Sequence, residues 1–110
     1  SSTNVIYATK KYADANPKMV QAFGAALREA QEAIGKDKKA AAATYLKLSG
    51  DKESVDNVVE MLNDPKVEFS PVPKGIMAFA DFMHGTGAIK TKPSSWKDAF
   101  IADLHGAPGN

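Results

Sequence analysis

Between Pro17 and Lys36 apolar residues stand at Val20, Phe23, Leu27, Ala30 and Ile34, spaced 3, 4, 3 and 4. Only a helix of 3.6 residues per turn brings such a set onto one face, so this stretch predicts a long amphipathic helix that needs an apolar surface to lie on. Its entry is equally specific. Asn16 suits the N-cap, and Pro17 suits the first helical position, where its fixed φ helps and its missing N–H costs nothing.

The same reading extends along the chain. Gly35 offers a stop, and "DKKAAAATYLKLSG" predicts a second helix. Asp37 is its possible cap, Gly50 its end, and Ala41, Tyr45 and Leu48 its buried face. Asp51 then caps a third helix carrying Val55, Val58, Val59 and Leu62, and "NDP" ends it because the residue before Pro65 is pushed out of helical geometry. A fourth helix is expected over "KGIMAFADFMHG", with Ile76, Phe79, Ala80 and Met83 inward. "SSWKDAFI" carries the last helical signal.

Two stretches read as extended. "TNVIYATKKY", residues 3–12, is β-branched and aromatic about Val5, Ile6 and Tyr7 and predicts a strand. "KVEFSPVP" alternates Val67 and Phe69, and Pro71 and Pro73 restrict it to an edge strand or a crossing segment. The expected fold class is therefore α/β: a helix-rich segment of about five helices and two short strands. Two such strands cannot make a sheet of their own, so they are expected to join a larger sheet outside this chain. The abrupt start on a strand-like run gives the same expectation of a fragment.

Composition narrows function by exclusion. With 110 residues the chain is sized for one domain or part of one. It has no cysteine, which removes disulfides, thiolate metal sites and cysteine nucleophiles. The net charge of +1 gives no footprint for a polyanion, so no nucleic-acid partner is expected. Charge is nevertheless uneven. Residues 1–50 carry eight Lys/Arg against four Asp/Glu, and residues 51–110 carry six against nine.

"FMHGTGAIKTKPSSWKDAF", residues 82–100, gathers the features that invite a chemical reading. Its Gly-Thr-Gly lacks the spacing of a phosphate loop and follows a helix, so Gly85 reads as a helix C-cap. His84 and His105 lie apart, with Asp81 and Asp103 nearby and no His-Glu-x-x-His pattern, so no metal site is assigned. Asp56 and Glu60 make an i,i+4 carboxylate pair with no nucleophile beside them and read as a solvated face. Ser95 and Asp98 match a capping box, and Trp96 and Phe100 would anchor that helix on an apolar surface. The stretch reads as a seam between helices.

In order and spacing, "ATKKYADANPK", "VEFSPVPKGIMAFADFMHGTG" and "IKTKPSSWKD", with the residues between them, resemble the C-terminal portion of bacterial ABC-transporter solute-binding proteins. The branch is the nitrate/sulfonate/taurine one, which shares its fold with the thiamine-pyrimidine-synthase-like proteins. The resemblance implies a non-catalytic periplasmic or lipid-tethered receptor of two α/β lobes. Such a receptor closes on a small, usually anionic or heterocyclic solute and delivers it to an inner-membrane ABC permease, with no cofactor. Residues 1–66 would supply part of the second lobe, and residues 67–110 the crossing segment and terminal helices. The missing N-terminal part of the same protein would be the main partner, and exposed strand edges would allow a homo-oligomer of the fragment. Tyr7 and Thr9, at the end of the first strand, are the candidate ligand-binding residues, because open α/β sheets bind ligands at strand ends. Two competitors remain: an enzyme or binding protein of the same fold related to pyrimidine-precursor synthesis, and a stand-alone helical interaction domain.

Overall fold

A computed structural model describes all 110 residues, from Ser1 to Asn110. It contains five α-helices: α1 (Lys10–Ala15), α2 (Pro17–Lys36), α3 (Lys38–Ser49), α4 (Val55–Leu62) and α5 (Ile76–Gly85). Two 3-10 turns follow, Trp96–Ala99 and Ala102–Leu104. The chain divides into two compact units. One is contiguous, Thr9–Ser70; the other combines Ser1–Ala8 with Pro71–Asn110.

There is no β-strand, and the expectation of an α/β fold with two strands is overturned. The physical reason is the lack of a ladder. A strand is stable only when its backbone N–H and C=O groups find a neighbouring strand. Val5, Ile6 and Tyr7 are exposed and sit in no ladder, and residues 67–73 form none either. The last three residues of the expected strand, Lys10–Tyr12, go helical instead. Thr9 takes extended geometry and its hydroxyl accepts from the Tyr12 amide at 3.1 Å, a local cap that starts α1.

In the contiguous unit, α3 packs on both α2 and α4, and α1 leans on α2. Asn16 and Pro17 do open α2, although the Asn16 side chain donates back to the Tyr12 carbonyl instead of capping. The helix runs through Gly35 to Lys36, and the Asp37 carboxylate caps α3 by accepting from the Ala40 amide at 2.9 Å. Gly50 closes α3 at φ 70°, a left-handed turn that other residues resist. The inward face of α3 is Ala42 with Ala41 and Leu46; Tyr45 is half exposed, and Leu48, expected inside, is 80% exposed. On α4, Val58 is buried with Val55, Val59 and Leu62 partly covered, as their spacing requires. Lys38 Nζ donates to Asn63 Oδ1 at 2.8 Å and ties the start of α3 to the end of α4.

The discontinuous unit is organised around the turn Pro73–Ile76. Ser2 N donates to the Lys74 carbonyl at 2.7 Å, and Lys74 N donates to Ser2 Oγ at 3.0 Å. From the other end, Ile76 N donates to the Asn110 carbonyl at 2.8 Å, and Asn110 N to the Pro73 carbonyl at 3.2 Å. Gly75, at φ 73°, starts α5, and a Cβ there would strike the Ser1 side chain. Its buried centre is Trp96, Ala80 and Pro73.

"SSWKDAF" forms a four-residue 3-10 turn, not a regular helix. Its capping box is real: Asp98 Oδ2 accepts from the Ser95 amide at 3.1 Å, and Ser95 Oγ accepts from Lys97 N at 3.3 Å. The helix before the seam keeps helical geometry through Gly85, and the left-handed residue is Gly87, at φ 78°, two positions later than expected.

No helix is long and apolar enough to cross a membrane.

Candidate functional site

An apolar hollow lies within the contiguous unit, against α3 and α4. Its floor is Ala42 and Val58, both buried, with Ala41 and Leu62. Its sides are three half-exposed flexible or aromatic residues, Tyr45, Met61 and Phe69, and Ile34 of α2 closes one end. The cavity measures about 400 Å³, within the range of small-ligand and side-chain pockets. Small alanines on α3 make this room, because a larger residue at position 41 or 42 would fill it.

The mouth is acidic and ordered. Asp51 Oδ2 accepts from the Tyr45 hydroxyl at 3.1 Å, and Asp51 Oδ1 accepts from the Glu53 amide at 3.0 Å. Glu53 Oε1 accepts from Asn57 Nδ2 at 2.7 Å and from the Ser54 amide at 3.0 Å. These donors, Asn57 first and Ser54 second, hold the Glu53 carboxyl below its ordinary 4.5, against the opposing pull of the neighbouring Asp51 charge. Ser54 Oγ caps α4 by accepting from the Asn57 amide at 3.1 Å. The loop Asp51–Ser54 thus presents two carboxylates, with the exposed Lys52 between them in sequence, beside an aromatic and apolar hollow. Sequence reasoning placed Asp51 as the helix cap; the cap is Ser54, and Asp51 instead folds the loop in front of it.

A second concavity at the α1–α2 corner is formed by the consecutive residues Ala15–Met19. It is the outside of a chain bend, with no side chains converging from different elements.

Tyr7 and Thr9 do not line either hollow. Tyr7 is 91% exposed, its ring in solvent. Thr9 is also at the surface, and its hydroxyl is engaged in starting α1. His105 lies beside Trp96, with ring centroids 6.2 Å apart at 87°. Its Nε2 stands 2.9 Å from both the Lys97 and the Phe100 carbonyls, and two acceptors require that nitrogen to carry the hydrogen. Phe100 meets the other side of the indole edge-on at 6.0 Å, and Lys97 Nζ stands 5.9 Å from the ring centre. Trp96 is therefore an anchor with its surface occupied, as its spacing from Phe100 suggested.

No protein-family model matches the sequence, and no curated protein and no solved structure is significantly similar to the chain.

Proposed function

We propose that this chain is a non-catalytic part of a solute-binding component of an ABC importer, contributing to capture of a small solute outside the cytoplasm and its delivery to a membrane permease. The resemblance of residues 7–34 and 41–100 to nitrate/sulfonate/taurine-type receptors motivates the proposal. The structural observation that carries it is the amount of uncovered surface. The chain exposes 8566 Å², whereas a compact protein of 11.7 kDa exposes about 5,900 Å² and two separate compact bodies sharing that mass about 7,100 Å². Phe23 on α2, and Phe79 and Phe82 on α5, account for part of the excess. Such faces suit a chain covered by further protein, here the rest of the receptor. Tyr7, with its ring free, is the residue offered to a solute; Thr9 sets the geometry of the turn behind it.

The receptor polypeptide carrying this chain, tested by thermal shift against small sulfonates, nitrate and pyrimidines, should be stabilised by one class without chemical change to it. Stabilisation by none of them, or turnover of the one that binds, would overturn the reading.

The all-helical architecture favours a second reading, a free-standing helical interaction domain. On that reading residues 1–110 alone unfold in one sharp transition and bind none of these solutes.

A further inference from the structure

Two features of this chain are complementary in character, an apolar arm followed by lysines and an apolar hollow edged by carboxylates. Val5, Ile6 and Tyr7 present apolar side chains to solvent, Tyr7 almost completely. Lys10 and Lys11 follow within four residues of Tyr7. Lys10 pairs with Asp14 at 2.6 Å, while Lys11 has no carboxylate partner. The hollow on α3 and α4 has the reverse character: an empty apolar interior of about 400 Å³ with Asp51 and Glu53 at its mouth.

We propose that the Val5–Lys11 arm of one copy of this chain seats in the α3–α4 hollow of a second copy, and that the exchange is reciprocal. Tyr7 and Ile6 would enter between Tyr45, Met61 and Phe69, over the floor of Ala42 and Val58. Lys11 would stand against Asp51 and Glu53. From Tyr7 to Lys11 the backbone covers about 10 Å, three residues' worth of it extended and the rest helical. A lysine side chain can therefore reach the lip while the tyrosine fills the interior.

Three considerations favour a second copy over an unrelated occupant. Both halves of the contact are in this sequence, and their charges are complementary. An exchange between identical chains closes with two-fold symmetry, so each contact forms twice. A buried tyrosine alone covers about 200 Å². Two tyrosines and the surfaces that cover them bury about 800 Å², and Val5, Ile6 and Lys11 of each arm must supply the remainder of the ~1,200 Å² at which specific interfaces begin. Met61 on the side wall suits such an insertion, since its unbranched thioether adapts to irregular shapes. The inference does not depend on the receptor reading, and a Tyr7 seated in this hollow is not open to a solute.

Light scattering and sedimentation of the full chain over a roughly hundredfold dilution provide the test. The mass should rise from 11.7 kDa towards twice that value, and added salt should lower it. Ile6→Ser with Tyr7→Ser, both on an exposed arm, should abolish the dimer while far-ultraviolet circular dichroism stays unchanged. Lys11→Glu should weaken it about tenfold, and Lys11→Glu combined with Glu53→Lys should restore it. Because the chain has no cysteine, a mixture of Tyr7→Cys and Met61→Cys chains should form the mixed disulfide in preference to either like pair. A monomer at every concentration overturns the proposal. So does a dimer indifferent to Ile6→Ser with Tyr7→Ser, or a chain bearing both cysteines that closes only on itself.

Discussion

In the unit Thr9–Ser70, hydrogen bonds join near neighbours and reach as far as the 25 residues from Lys38 to Asn63. In the other unit, the side chain of Ser2 is bonded to Lys74 across 72 residues, and that of Asn110 to Gly75 across 35. The first is four consecutive helices with their caps. The second is one helix, two short turns and a set of backbone bonds between distant parts of the chain. The difference is between order specified residue by residue and order specified by closure. Local order should form quickly and survive damage elsewhere, because its loops are short. Order by closure depends on a few residues, above all Trp96.

Trp96→Ala is the strongest way to break that comparison. It removes the ring that Phe100 and His105 contact and that lies against Gly109, where an added Cβ would stand 2.8 Å from the indole. A loss of about 3 kcal/mol or more is expected. Nuclear magnetic resonance should show residues 71–110 losing dispersion while α2, α3 and α4 keep their amide protection. Loss of protection in all helices together would mean the two units do not unfold independently.

A smaller effect tests the other side. Ser54→Ala deletes the oxygen that accepts from the Asn57 amide and should cost about 1 kcal/mol. Faster amide exchange confined to α4 and its neighbour α3 is the expected result, and an equal change at Trp96 would contradict local order.

The smallest effect is a titration. The Glu53 carboxyl sits below its ordinary 4.5, held there by donors that prefer the charged form. A lowered pKa in the folded state gives a contribution that is present above the unfolded value and lost as pH falls through the folded one. Its titration, followed at the side-chain carbon, should therefore have a midpoint below 4.5. Asn57→Ala should move that midpoint upwards.

Features legible in the sequence follow the same division. Pro17, Asp37, Gly50 and the Ser95–Asp98 box act within four residues, so their chemistry can be read without knowing the fold, whereas Asn16 marks the start of α2 without capping it by its side chain. The stretch 3–12 misled because β-branched residues state a preference that only a partner can realise, whereas Thr9 could recruit the Tyr12 amide by itself. The face of α3 was misjudged by one position. A run of alanines carries no periodic signal, and the half-exposed Tyr45 and exposed Leu48 supplied a false one. Of the hollow, Val58 and Leu62 were foreseeable as inward residues of α4. Its emptiness was not, because it arises where small residues on α3 face larger ones brought from residues 34 and 69.

The turn Pro73–Ile76 holds Ser2 on one side and Asn110 on the other. In mechanical terms this makes it a clasp. Tension applied between Ser1 and Asn110 would run through Ser2, Lys74 and Ile76 and straight out again. Helices α1 to α4, and α5 beyond its first residue, would hang outside the load path, slack, until those few hydrogen bonds gave way.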